Sequence, residues 1–248
     1  MLLNTIDLIL PISKKNVKCT GWSIGDEFDY RESNTNNEIG GLIKFLTNRV
    51  DLPIEELNKL TKTDVVYILS KIRNLCKSSV VPFNWKCINE NHKEKGTKCS
   101  YYGQLQDNQF NIIENLEYNS KEDKDYTFSV IIEEINIHYE FKLKLLTFID
   151  DIKEDLTLND KIDKLSKSIY EIGVSNTSTI TNNVICKNKL TEEEWIKTIK
   201  NLYPSIIIKL VDFYNDNLDL WVKLKKDVVC PVCKEKQTVV LENFGFFP

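Results

Sequence analysis

Cys230 and Cys233 flank a proline in C-P-V-C, between the strand-like runs LWVKLKKDVV and KQTVVLENF. Two thiolates offered from one turn are half of a tetrahedral metal site, which needs four soft ligands and commonly draws them as two pairs from two turns. A second pair, Cys87 and Cys99, encloses INENHKEKGTK, again between strand-like segments. The expectation is a four-cysteine Zn2+ site of Cys87, Cys99, Cys230 and Cys233 that ties the tail of the chain to its middle. His92, inside the enclosed loop, offers a competing imidazole ligand. A metal held by four cysteines has no open position for water, so such a site holds structure and does not catalyse. Four thiolates on a divalent ion leave a charge of about −2, which Lys223, Lys225, Lys226, Lys234 and Lys236 could offset.

One enzyme motif occurs. Gly21-Trp22-Ser23-Ile24-Gly25 fits G-x-S-x-G, the nucleophile elbow, which needs a strand before it, a helix immediately after it and a histidine base later in the chain. KNVKCT supplies the strand, but DEFDYRESNTNN is a poor helix. Of the two histidines, His92 lies in the cysteine loop and His138 on a strand among apolar residues. No P-loop, G-x-G-x-x-G or H-E-x-x-H is present. The expectation is a chain that is not an enzyme, with no catalytic or cofactor-binding residues and no small-molecule substrate.

The 248 residues are 42% hydrophobic, enough for a sizeable core. The 33 basic and 37 acidic side chains are interspersed and sum to −4, which gives no footprint for gripping nucleic acid phosphates. No apolar run reaches the roughly 18–20 residues of a membrane helix, and MLLNTIDLILPIS lacks the features of a signal peptide. Seven cysteines without a secretion signal favour metal over a disulfide framework. The chain has no Ala, only three Arg (Arg31, Arg49, Arg73) and many Asn and Ile, the bias of an AT-rich coding sequence.

These residues must be positioned by an α+β fold. Loose alternation predicts short strands over 1–30, with RESNTNNE a loop. Helical stripes follow, with Ile43, Leu46 and Val50 on one helix and Val65, Ile68, Leu69, Ile72, Leu75 and Cys76 on the next. Thr63 can cap that second helix, with Asp64 in its first turn. VVPFNWKC and QFNIIENLEY read as strands. Tyr126, Phe128, Val130 and Ile132, then Ile137, Tyr139, Phe141, Leu143 and Leu145, alternate as an antiparallel hairpin around EEIN. KIDKLSKSIYEI reads as helix and SNTSTITNN as loop. Thr191 and Glu194 form a capping box, and Pro204 starts a helix carrying Ile206, Ile207, Leu210, Val211 and Tyr214. No internal repeat is visible. The expected organisation is a single domain of helical segments around an antiparallel β portion closed by the zinc site. Its subregions are 1–38 (strands and loop), 39–79 (helical), 80–147 (β, with the first cysteine pair), 148–218 (helical) and 219–248 (knuckle hairpin and tail). The end, Phe246-Phe247-Pro248, folds back onto the core or inserts into a partner.

The ordered combination of these features resembles the zinc-binding baseplate hub proteins of T4-like tailed phages. The resemblance runs from about residue 40 to 248. It rests on the Thr63-Asp64-x2-Tyr67-Ile68-Leu69-x2-Ile72-Arg73 helix with its Asp and Arg nine apart, on Trp195-Ile196 opening a helix, on Leu202-Tyr203-Pro204-Ser205, and on Cys230-Pro231-Val232-Cys233 leading to the Phe-Phe-Pro end. The family usually has a tight Cys-x2-Cys as its first pair, in contrast to the wide Cys87 and Cys99 here. A Gly that commonly follows the Arg helix is replaced near Ser78-Ser79. The resemblance implies a structural and assembly component of a contractile tail baseplate, in the virion and, while it assembles, in the host cytoplasm. Its partners would be other phage baseplate and tail proteins, in multiple copies of a symmetric assembly, with no membrane and no nucleic acid. The competing reading is a zinc-ribbon module that binds nucleic acid or the transcription machinery, which calls for a basic, aromatic-studded face.

Overall fold

The computed structural model describes residues 4–23, 25–26, 38–76, 83–88, 99, 101–105, 116–118, 124–151, 157–176, 181–218 and 222–241. Among them are seven helices and eleven strands, with every strand pair antiparallel, an α+β fold. The chain groups into two compact units. Unit 1 comprises Met1–Leu57, Thr63–Asn119 and Trp221–Pro248, and unit 2 comprises Asn58–Lys62 and Ser120–Leu220. The expected RESNTNNE loop, His92, Ser78-Ser79 and the Phe-Phe-Pro end lie outside the described residues.

Unit 1 opens with the hairpin of β1 (Thr5–Ile9) and β2 (Asn16–Thr20), in which Leu8 faces Val17 and Ile6 faces Cys19. Period-2 alternation buries Leu8, Leu10, Val17 and Cys19 on one side. Helices α1 (Glu38–Arg49), α2 (Ile54–Leu57) and α3 (Lys62–Cys76) follow. α3 buries Val65, Ile68, Leu69 and Ile72 of the expected stripe, while at its C-terminal end Leu75 is half-buried and Cys76 exposed. Thr63 is not its cap. The helix already begins at Lys62, so Thr63 sits buried within the first turn, and its hydroxyl has no hydrogen-bond partner among the described residues. Asp64, fully buried, turns its carboxylate toward the N-terminal hairpin, accepting from the amides of Ile12 at 2.9 Å and Ser13 at 3.1 Å.

Two further sheets complete unit 1. β3 (Phe83–Lys86) pairs with β4 (Tyr102–Leu105), and β10 (Val222–Val229) lies between β11 (Lys236–Leu241) and β5 (Leu116–Tyr118). The β1–β2 and β10–β11 turns are built alike, and their residues match in type as well: Asp7-Leu8-Ile9-Leu10-Pro11-Ile12-Ser13-Lys14 stands beside Asp227-Val228-Val229-Cys230-Pro231-Val232-Cys233-Lys234, a short repeat that the sequence reading missed. In the first, the Leu10 amide donates to the Lys15 carbonyl at 2.9 Å, Pro11 follows, and Lys14 is left-handed at φ 57°. In the second, the Cys230 amide donates to the Glu235 carbonyl at 2.9 Å, Pro231 follows, and Lys234 is left-handed at φ 61°.

Unit 2 is a four-stranded sheet in the order β6 (Tyr126–Ile132), β7 (Ile137–Leu143), β8 (Ile169–Asn176), β9 (Thr181–Cys186). The first hairpin is the expected one. A single 3-10 turn, Glu133–Ile135, joins its strands, with Asn136 left-handed at φ 51°. Helices α4 (Phe148–Asp151), α5 (Leu158–Ser168), α6 (Glu192–Lys200) and α7 (Pro204–Asn217) accompany the sheet. Val130, Phe141, Leu143 and Ile172 form one core with Leu165, Trp195, Ile199, Ile206 and Leu210. The opposite strand positions, such as Thr127, Ser129 and Glu140, face water, as an antiparallel sheet permits.

The second hairpin corrects the sequence reading. KIDKLSKSIYEI is helix only through Ser168, where IYEIGVSN turns into β8, and the ends of SNTSTITNN pair as Ser175 with Asn182 and Asn176 with Thr181. The reason is tertiary. Ile172 and Val174 find Phe141 and Tyr139 opposite them on β7, and this cross-strand packing outweighs continuation of a polar helix. α6 starts at the expected Thr191–Glu194 capping box, and Thr157–Asp160 makes another for α5. At the other end of α5, the Ser166 carbonyl accepts from Trp195 Nε1 at 2.8 Å and from Lys187 Nζ at 3.0 Å, which satisfies an acceptor the helix leaves open. Burial holds the Lys187 ammonium below its ordinary pKa.

Trp195→Phe keeps an aromatic ring but removes part of the buried indole together with the donor to Ser166. Thermal unfolding is expected to show a loss of about 2 kcal/mol, a midpoint lower by roughly 4–8 °C. Trp195→Ala is expected to cost about 3–5 kcal/mol.

Candidate metal centre

The second cysteine pair is set by its turn. β10 ends at Val229 and β11 begins at Lys236, so Cys230 and Cys233 lie at the tip between them. The Lys234 amide donates to the Cys230 carbonyl at 2.9 Å, and left-handed Lys234 lets the chain double back, a conformation that costs a non-glycine residue about 1 kcal/mol.

The first pair is far apart in sequence but not in space. Cys87 directly follows β3 and Cys99 shortly precedes β4, and the Cys87 amide donates to the Tyr101 carbonyl at 3.0 Å. Strand pairing therefore closes the wide loop at its base, which makes the loose spacing serviceable. Trp85 is buried beside it, with ring centroids 5.3 Å from Tyr101.

The four sulfur atoms lie within 4.8 Å of one another. Cys87 Sγ is 3.5 Å from Cys233 Sγ, and Cys99 Sγ is 3.8 Å from Cys230 Sγ. These are not disulfides, which need about 2.05 Å. Sulfurs at about 2.3 Å from a central Zn2+ form a tetrahedron with edges of about 3.8 Å, so the spacing and the donor set fit a bound metal. Cys87, Cys99 and Cys230 are buried and Cys233 half-buried. The Tyr101 amide pulls the Cys99 thiol down, but burial and the Cys230 and Cys233 thiols push it up, and the balance lies above its ordinary pKa. A cation reverses that logic, because coordinated thiols are deprotonated outright.

Gln237 is the member of the site that sequence reasoning missed. Its side chain spans from β11 to the other arm, where Nε2 donates to the Lys86 carbonyl at 3.1 Å and Oε1 accepts from the Ile88 amide at 3.0 Å. One amide thus grips the backbone on both sides of Cys87. No sequence signal marks it, since a glutamine on a strand's polar face is ordinary. Among the described residues the other cysteines stay out of the cluster. Burial, reinforced by Asp7, pushes the Cys19 thiol up to about 12, Cys76 Sγ accepts from the Trp22 amide at 2.8 Å, and Cys186 lies near Glu171 on unit 2.

Gly21–Gly25 is built for a different purpose from nucleophilic catalysis. The Ser23 hydroxyl and amide both donate to Asp26 Oδ2 at 2.6 Å, and the Asp26 amide returns a bond to Ser23 Oγ at 3.3 Å. This is the reciprocal pattern of a helix start, with Gly25 and Asp26 already helical. Arg49 closes it, with Nη2 at 2.5 Å from both Asp26 oxygens and Nε at 3.1 Å from Oδ1. His138 lies on β7 of unit 2, with Nδ1 at 3.5 Å from Ser175 Oγ.

Burial raises the Asp26 pKa, but the Arg49 and Ser23 hydrogen bonds and the Arg49 charge outweigh it and leave it below the ordinary 3.8. A carboxyl lowered on folding contributes stability that is present above its unfolded pKa and is lost as pH falls through the folded one. Acid unfolding followed by circular dichroism is therefore expected to show a less steep loss of stability below pH 3.8 in Asp26→Asn than in the native chain. Gln237→Ala is expected to lower the unfolding midpoint modestly, with a loss of about 0.5–1.5 kcal/mol, because both hydrogen bonds are exposed and water takes the place of the lost amide.

A family model for the T4 bacteriophage base plate protein matches residues 3–247. No curated protein and no solved structure matches the chain. With nearly its whole length matched, the chain belongs to the T4 bacteriophage base plate protein family.

Proposed function

We propose that this chain is a structural subunit of the hub region of a contractile tail baseplate. It acts by contacts with neighbouring baseplate and tail proteins, and one structural Zn2+ on Cys87, Cys99, Cys230 and Cys233 fixes its shape. The observation that carries the metal reading is the mutual approach of four cysteine sulfurs within 4.8 Å, at spacings a tetrahedral ion requires. Four thiolates close the coordination sphere, so the ion's role is to cross-link. The link joins residues 146 positions apart, before and after the excursion Ser120–Leu220, and so restricts the unfolded chain far more than a local contact does. Family membership supports a structural role and the tail of the virion as its place.

The side chains exposed around the knuckle favour protein contact over nucleic acid. They include Ile88, Val229 and Val232, which are aliphatic and offer no ring for a base to stack on. An acidic balance of −4 points the same way.

Elemental analysis of the purified chain is expected to give one zinc per molecule, and a chain purified from zinc-containing medium with none would refute the site. Cys230→Ser and Cys99→Ser are each expected to lose the metal and lower the unfolding midpoint, while His92→Ala retains both. Retention of zinc in Cys99→Ser with loss in His92→Ala would reassign the fourth ligand. Locating a tagged chain in isolated baseplates by electron microscopy tests the hub: density away from the central axis would place it elsewhere in the baseplate.

A further inference from the structure

The two like-built hairpins of unit 1 are closed by different chemistry. Aligned on their turns, Leu10-Pro11-Ile12-Ser13-Lys14-Lys15 stands where Cys230-Pro231-Val232-Cys233-Lys234-Glu235 does, with the same closing hydrogen bond and the same left-handed residue. Flanking positions match in burial too. Leu10 and Cys230 are fully buried, Leu8 and Val228 are buried, and Ile9 and Val229 are exposed. At the metal-ligand positions, however, the N-terminal turn carries Leu10 and Ser13, which bring no thiolate. Its tip is held by Asp64, whose two oxygens take the amides of Ile12 and Ser13 at 2.9 and 3.1 Å. The N-terminal turn thus finishes on a buried carboxylate from α3, and the C-terminal turn on the cluster of four cysteine sulfurs.

We infer that the N-terminal hairpin is a metal-free counterpart of the cysteine knuckle, in which Asp64 does the work that bound metal does for Cys230 and Cys233, so that unit 1 carries two independent locks. Removing the ion opens the β10–β11 hairpin and the β3–β4 arm, while the β1–β2 hairpin stays seated on α3. Removing the Asp64 carboxylate does the reverse. The conditional part is then β10–β11 with β3–β4, and the N-terminal hairpin with α3 is the part that persists without metal. This inference rests on the metal reading given above for the four cysteines.

Amide hydrogen exchange on the full chain, with and without the chelator 1,10-phenanthroline under reducing conditions, tests it. Chelation is expected to speed exchange by about tenfold or more at residues 83–88, 101–105 and 222–241, and to leave residues 5–20 and 62–76 within about twofold. Asp64→Ala is expected to speed exchange at 5–20 by a similar factor and to keep its metal. Should that variant not fold, Asp64→Asn retains one acceptor oxygen and is expected to show a smaller loss confined to 10–20. Both hairpins opening together on chelation, or metal lost from either Asp64 variant, would overturn the two-lock inference. Elemental analysis beforehand separates this from failure of the metal reading itself: a metal-loaded chain that opens everywhere sinks only the locks, whereas a chain without metal sinks the site.

Discussion

Four thiols crowded within 4.8 Å of one another, three of them buried, are the constraint on which the joining of the β3–β4 arm to the β10–β11 hairpin depends. Neutral thiols gain little by such an approach, because sulfur is a weak donor and a weak acceptor. The surrounding geometry converges on it all the same. The β3–β4 ladder brings Cys87 and Cys99 to one end, the Pro231 turn presents Cys230 and Cys233, and Gln237 joins the two arms through the Lys86 carbonyl and the Ile88 amide. Unit 1 is built from three stretches of chain, two of which contribute sulfurs. Such an arrangement needs a link between distant segments, since local turns cannot supply one.

Elsewhere, short acidic side chains settle what the backbone leaves open. Asp26, Asp64, Asp160 and Glu194 each accept from backbone amides at a turn or a helix start. Their surroundings differ. Asp160 and Glu194 pair with local threonines at capping boxes, where a cap contributes about 1 kcal/mol. Asp64 reaches across 52 positions to a buried turn, where a missing acceptor would leave two donors without partners. The same reasoning accounts for Ser23, whose motif belongs to a helix start locked by Arg49. Around the knuckle, Ile88, Val229 and Val232 stay exposed.

Much of this was readable from spacing. The stripe Val65, Ile68, Leu69 and Ile72, the β6–β7 alternation, the Thr191–Glu194 box and Pro204 at a helix start all appear in the fold, because each depends on neighbours within a few residues. C-P-V-C between two strands is equally local. The joining of Cys87 and Cys99 to that pair was legible as well, through a different argument: four soft ligands are needed, and few cysteines were available to supply them. What misled was the switch after Ser168. The helical spacing of Ile162, Leu165 and Ile169 runs on into IYEI, but Ile169, Tyr170, Ile172 and Val174 favour a strand, and β7 offers Phe141 and Tyr139 as partners.

The amino-acid sequence by itself made legible the α+β class, the β6–β7 hairpin and two helix starts, since period and caps act over short range, and it named the four cysteines that the fold brings together. The tertiary structure alone decided that a wide Cys87 to Cys99 loop closes at Tyr101, that Gln237 grips the backbone on both sides of a candidate ligand, and that Asp64 takes the amides of Ile12 and Ser13 in the N-terminal turn. The physical reason is common to all three: a hydrogen-bond partner supplied from far along the chain leaves no mark on the spacing of the residues that receive it.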